Sequence, residues 1–293
     1  MPYHLLLPLF SSVVFVLGMM LAKRGIAQGA SPWTATFFGN VWLAAMWIAV
    51  AGFRQAIVPM EFWGQAAGVG LLFLLGQVFT YLAFQLGDVS VATPVLGSKV
   101  LIVAALTAAL TGQPVRPQVW LAAALAAVGI AMIQQSDRSQ RADHRWLTIG
   151  LALLAALSLS LFDICLQVWG PSWTSTEFLP VAFGFTALFS CVLLSKVDSV
   201  KCLREQKAAG LILTGTLLMA VQAMSMSFAL GTFGDAIRVN IVYALRGLWG
   251  VLLAWLLARW TLGGERQLGT RVMLTRLLAA GLLTAAVIIA IGI

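Results

Sequence analysis

Two cations stand inside stretches that otherwise read as lipid-buried. Lys99 lies in the apolar run 90–111 and Arg246 in the apolar run 236–258, and each follows the aspartate of a Gly-Asp pair, Gly87-Asp88 or Gly234-Asp235, by eleven residues. Eleven residues advance a helix by about 16 Å and return it nearly to the same face, so each cation falls near half the depth of a hydrocarbon core of about 30 Å. A charge at that depth is costly. It faces a bundle interior or a wet cavity, and two such charges related by an internal repeat point to one shared central site. An ammonium attracts a carboxylate or phosphate as a point charge, whereas a guanidinium grips it with two parallel hydrogen bonds, so the pair suits an anion held asymmetrically. The competing reading of either residue is a structural ion pair or a side chain snorkelling toward the interface.

Asp163, in Leu161-Phe162-Asp163-Ile164-Cys165, is the acid available to them. It serves equally as a neutralising partner in the empty state or as a carrier of a coupling proton, since desolvation raises a carboxylate's pKa. Neutral polar groups that can line the same cavity are Gln77, Ser98, Gln167, Gln222, Asn240 and Tyr243, with Tyr243, Trp249 and Phe84 as aromatic wall. Asp88 and Asp235 read as N-caps of the helices they open. Arg238 reaches the interface or pairs with Asp235, Glu177 sits at the mouth of a helix, and His4 and His144 lie outside the apolar runs as incidental residues. Gly64, Gly68, Gly70 and Gly76 predict close helix approach.

The elements that must position these groups are helices in a membrane. With 61% hydrophobic and 10% charged residues and a mean hydropathy of +0.96, the chain has too little polar surface to coat a soluble globule of 293 residues. Apolar runs between charged or Pro/Gly-rich breaks predict spans near 4–22, 33–52, 64–86, 90–111 and 119–134, then 146–168, 177–195, 208–230, 236–258 and 274–292. The first run is followed at once by Lys23 and Arg24 and has no basic segment before it, so it is a span and not a cleaved leader. Residues 1–134 and 146–293 form two five-helix halves joined by a polar connector, 135–145. An odd number of spans per half makes the second half enter from the opposite side, which inverts the repeats about an axis in the membrane plane.

Lys and Arg divide unevenly between the two faces. Arg54 and Arg116 lie on the face carrying both termini, and Lys23, Arg24, Arg138, Arg141, Arg145, Lys196, Lys201, Arg204, Lys207, Arg259, Arg266 and Arg271 lie on the other. The positive-inside rule makes the richer face cytoplasmic and puts both termini outside. The formal charge of +8 is explained by these loop residues, and nucleic-acid binding is not indicated. Cys165, Cys191 and Cys202 make no CxxC pair and read as thiols.

The ten-span count, the half repeat and two related passages together resemble the drug/metabolite transporter superfamily, in the branch built from two EamA-type five-helix domains. The passages are Ala83-Phe84-Gln85-Leu86-Gly87-Asp88-Val89-Ser90-Val91-Ala92-Thr93-Pro94 and Ser227-Phe228-Ala229-Leu230-Gly231 leading to Asp235. EamA domains often close the fourth helix with Gly-Glu: the second half has Gly264-Glu265 and the first has Gly112-Gln113 in its place. The resemblance implies an all-α integral membrane protein of ten transmembrane helices. It also implies a small-molecule cargo drawn from amino acids, nucleobases, nucleotide sugars, amines or phosphorylated sugars. Characterised relatives commonly keep both termini in the cytoplasm, opposite to the charge count.

The expected function is a secondary transporter of a small organic anion in the cell membrane, with Lys99, Arg246, Asp163, Gln77, Ser98, Gln222, Asn240 and Tyr243 around its cargo. The alternative is an amine, drug or amino-acid exporter using Asp163. No catalytic, metal or cofactor set is expected: the chain has no HExxH or Cys/His grouping and no GxxxxGK[ST], which argues against an enzyme and against direct drive by ATP. The expected partners are the lipid bilayer, the substrate and a coupling proton or exchanged solute.

Overall fold

The computed structural model describes residues 3–54, 59–86, 92, 95–112, 114–135, 145–170, 175–258 and 270–292. Every element among them is helical. The main helices are α1 (Leu6–Ala27), α2 (Pro32–Arg54), α3 (Trp63–Leu86), α4 (Lys99–Thr111), α5 (Pro117–Gln135), α6 (Arg145–Trp169), α7 (Ser175–Ser190), α8 (Ala209–Phe233), α9 (Ala236–Tyr243), α10 (Arg246–Ala258) and α11 (Thr270–Gly292). Tight turns Cys191–Lys196 extend α7, and a short connecting helix, Val200–Glu205, precedes α8.

Local chemistry sets several of these boundaries. Pro32 and Pro117 open α2 and α5, where a missing N–H costs nothing. Gly112 and Gly234 close α4 and α8 in the left-handed conformation, with φ of 65° and 63°, which a side chain would strain. Ser199 accepts from the Cys202 N–H and caps the connecting helix.

Six stretches are long and apolar enough to cross a membrane: Tyr3–Ala27, Pro32–Phe53, Trp63–Leu86, Trp146–Trp169, Thr176–Lys196 and Ala209–Phe233. Val95–Thr111, Pro117–Met132 and Leu278–Gly292 are shorter apolar helices. Leu, Val, Phe and Trp side chains are exposed on many of them, as lipid-facing surface requires.

Small residues bring the helices together. A Cβ on Gly215 of α8 would lie 2.7 Å from the Ala22 nitrogen and 2.9 Å from the Gly18 oxygen of α1, so backbone meets backbone at this crossing. Gly70 and Gly76 of α3 are equally tight, against Ala182 of α7 and Leu159 of α6. Gly64 and Gly68 are not: nothing lies within 4 Å of a Cβ built on either, so only half of the glycines read as close-packing serve that purpose.

The helix α1 fixes the two ends of the bundle. At its start His4 Nε2 meets Asp235 Oδ2 at 3.0 Å, so α1 and α9 begin at the same end. At its finish the turn before α2 is tied to the turn after α7: Asp198 Oδ2 accepts from the Thr34 hydroxyl at 2.9 Å and from the Ser31 N–H, and its own N–H donates to Thr34 at 2.8 Å. Twenty-two residues of α helix separate these ends by about 33 Å, close to a bilayer's hydrocarbon thickness.

The stretch 236–258 departs from the single helix expected of it. It is interrupted at Ala244 and Leu245, where Leu245 N–H bonds to Val242 and Gly247 N–H to Ala244, three residues back instead of four. The same tightening occurs in the first half, where Ser98 N–H bonds to Val95 at 3.1 Å. Both interruptions immediately precede the cation. Gly87, Asp88, Gln113, residues 136–144 of the connector and Gly264-Glu265 lie outside the described residues, and Gln135 and Arg145 belong to α5 and α6.

Candidate functional site

The two breaks bring Lys99 and Arg246 to one place. Both line a single small cavity with Gly97, Asn240, Tyr243 and Ala244, and α4 packs directly against α9. Its volume is about 10 Å³, room for about one water, so the site has no space for an organic ligand in this conformation.

Lys99 does not face this cavity alone. Its Nζ lies 2.7 Å from Asp163 Oδ2 on α6, and the Asp163 side chain is only 2% exposed. The same oxygen accepts from Asn240 Nδ2 of α9 at 2.7 Å, and that amide also donates to the Ala236 carbonyl at 2.9 Å. Two donors on one carboxylate oxygen make a tight buried group, since charge-assisted bonds strengthen where water is excluded. Ser160 of α6 donates to the Lys99 carbonyl at 3.4 Å and further ties α4 to α6.

Arg246 has a different environment. Its guanidinium carbon lies 4.5 Å from the Tyr243 ring centre and 5.0 Å from that of Phe15 on α1. These rings attract the cation by about 0.5–2 kcal/mol without neutralising it. The ion pairs found among the described residues do not include Arg246. With Lys99 cancelled by Asp163, the cavity keeps one positive charge, and it is the one on the residue best shaped for a carboxylate or phosphate.

Of the remaining expected residues, Tyr243 donates to Gln222 Oε1 at 2.9 Å, which holds its ring beneath Arg246. Gln222 is itself anchored by its carbonyl, which accepts from Ser11 of α1 at 3.1 Å. Ser98 turns its hydroxyl back to the Val95 carbonyl at 2.6 Å and closes the break before Lys99. Gln77 belongs elsewhere: it exchanges hydrogen bonds of 2.8 and 3.0 Å with Asn40 of α2, which also donates to Ser190 of α7. These are satisfied amides locking α2, α3 and α7, and they do not reach the cluster.

Other readings change as well. Asp235 precedes α9 but makes no side-chain cap; its carboxylate is taken by Arg238 Nε at 2.6 Å and by His4. Gln167 supplies the cap instead, its Oε1 accepting from the Ala236 N–H at 3.0 Å. His4 is therefore not incidental; it also stacks on Phe233 with ring centres 5.0 Å apart. Phe84 is 36% exposed and walls nothing. Phe15 supplies the second ring against Arg246, and an apolar residue in an apolar run carries no sequence signal for it. Cys165, Cys191 and Cys202 are free thiols.

No family model matches this sequence, and no curated protein matches it. Among solved structures, one crystal-structure chain, described only as a protein, superposes with a TM-score of 0.70 at 18% identity, over 98% of this chain and 96% of that one. At that identity the likeness establishes the fold alone. The arrangement of helices recurs from end to end in a solved protein.

Proposed function

We propose that this protein is a secondary transporter that moves a small organic anion, or a metabolite with an anionic head, across the cell membrane by alternating access at the Lys99–Arg246 site. One observation carries the reading: Arg246, beside the Lys99–Asp163 pair, has no acidic partner among the described residues. Buried charges are otherwise paired, so a structure that retains an unpaired guanidinium on a cavity wall is poised for a mobile counter-ion.

The ten-span, inverted-repeat architecture and membership of the EamA-type branch belong to the same proposal, and the helix contacts support it. Replacing each span by its counterpart five spans away turns α1–α8 into α6–α3, α2–α8 into α7–α3, and α4–α6 into α9–α1, all of which are packed pairs. The pairs α2–α7 and α5–α11 map onto themselves. The smaller contacts α6–α8, α5–α9, α7–α8, α8–α9 and α6–α9 have no such mate among the packed pairs of the described residues. Matching breaks before Lys99 and Arg246 are what discontinuous helices at the midplane of such a carrier supply.

A cationic amine fits less well, because Asp163 already holds both Lys99 and Asn240. An amino-acid zwitterion would use Asp163 as well as Arg246, and would make Asp163→Asn the intolerant change.

The test is thermal-shift screening of purified protein against carboxylates, phosphates, amines and zwitterions, repeated on Arg246→Gln and Lys99→Met. An anion should stabilise the native protein, and Arg246→Gln should weaken that ligand about 10- to 100-fold, the loss of charge-assisted hydrogen bonds. Stabilisation by amines alone, or anion stabilisation indifferent to Arg246, would rule the reading out.

A further inference from the structure

A second cavity opens at the His4 end of the bundle, apart from the Lys99–Arg246 cluster. Its volume is about 270 Å³, near the lower bound of about 300 Å³ for small-ligand sites. Arg116, from the turn after α4, and Arg238 of α9 lie on its wall with Gln167 of α6, Thr107 of α4 and Asp235.

The charges there favour an anion. The single acid of the wall, Asp235, is taken up by Arg238 Nε at 2.6 Å and His4 Nε2 at 3.0 Å, both on Oδ2. Arg116 enters no ion pair found among the described residues, so the cavity keeps its charge. Arg238 is 28% exposed and stays in reach of water.

The floor of this cavity is the ceiling of the central cluster. Gln167 Oε1 holds the Ala236 N–H across α6 and α9 at 3.0 Å. Gln167 stands one turn beyond Asp163, and Ala236 one turn before Asn240, so about 6 Å along the helix axes separates the two sites. Two hydrogen bonds close this α6–α9 seam, Gln167 to Ala236 and, one turn deeper, Asn240 to Asp163.

We propose that this vestibule recruits the soluble anion before it reaches the centre: a carboxylate or phosphate collects at Arg116 and Arg238 and passes to Arg246 when the Gln167–Ala236 and Asn240–Asp163 contacts part. The recruitment step stands on the vestibule alone, and the onward step rests on the transport reading above.

The experiment uses Val115→Cys, on the vestibule wall, in the full-length protein held in phosphatidylcholine nanodiscs. Its labelling by an anionic sulfonatoethyl and a cationic trimethylammonium-ethyl methanethiosulfonate is followed by mass spectrometry of the peptide holding residue 115, with the native thiols left in place. Relative to N-acetylcysteinamide, a thiol with no charge of its own, the anionic-to-cationic rate ratio should rise about fivefold, as a focused positive field dictates. Arg116→Gln should return the ratio toward that of the free thiol, and inorganic phosphate at constant ionic strength should slow anionic labelling about twofold or more. Val119→Cys, within α5 on the same wall, gives the same reading should the first variant fold poorly.

A ratio equal to that of the free thiol, a ratio indifferent to Arg116→Gln, or no protection by phosphate would each overturn the proposal. Protection by added phosphatidylglycerol without protection by phosphate would assign the charges to lipid headgroups and overturn it too. Arg246→Gln separates the two claims. A lost vestibule ratio with anion stabilisation intact condemns recruitment alone, and a normal ratio with no stabilisation by any anion condemns the central site alone.

Discussion

At the scale of single residues the site is a competition for one carboxylate and one unclaimed guanidinium. Asp163 accepts from both Lys99 and Asn240, so removing its charge leaves Lys99 uncompensated in a closed space. Asp163→Asn should therefore lower stability by about 3 kcal/mol or more, while the double variant Lys99→Met/Asp163→Asn should recover most of that loss. Melting of the purified single and double variants checks this; additive losses would mean that the pair is not coupled. Tyr243→Phe, which keeps the ring under Arg246 but removes the hydroxyl's bonds to Gln222 and to Arg246, should cost about 0.6 kcal/mol for each bond lost and leave anion stabilisation still dependent on Arg246. Lys99, Arg246 and Asp163 were legible in the sequence because a charge inside an apolar run must find a partner or a cavity. The partners of the amides were not, because which amide meets which depends on how each helix is rotated. Gln77 and Asn40 show it: they pair with one another, and nothing in their own segments distinguishes them from Asn240.

At the scale of elements, helix approach and helix interruption carry the argument. The α1–α8 crossing brings backbone within 2.7 Å of a Cβ on Gly215, and backbone cannot step aside as a side chain can. Gly215→Val should abolish the yield of folded protein in size-exclusion traces. Gly184→Ala, where nothing lies within 4 Å, should melt within about 1 kcal/mol of the native protein. The helices themselves were legible, because long apolar runs and their Gly and Pro boundaries are local features. The break at Ala244 and Leu245 was not. Neither residue is a helix breaker, and the shift to bonds three residues back occurs where α9 is surrounded by α1, α4, α5 and α11, neighbours that its own segment does not reveal. Its counterpart at Ser98 carries the same geometry before Lys99, so the breaks mark where each cation is aimed.

At the scale of the whole molecule, the packing of α4 against α9 places Lys99 and Arg246 on a common cavity. Two opposite ends are tied by different chemistry, His4 to Asp235 and Arg238 at one, Ser31 and Thr34 to Asp198 at the other. The cation-rich turns lie at the Asp198 end, where Lys196 stands 5.0 Å over the Trp33 ring. The charge asymmetry predicts that this end is cytoplasmic, and a C-terminal reporter active only outside the cell checks it. The central claim, an anion held between the halves by Arg246, meets its most direct test in proteoliposomes. Time courses of uptake of the anion found by thermal shift should saturate with concentration in the native protein, and Arg246→Gln should reduce initial uptake about 10-fold or more while the folded protein remains in the vesicles. Equal uptake by the two, or no flux of any anion in the native protein, would contradict it.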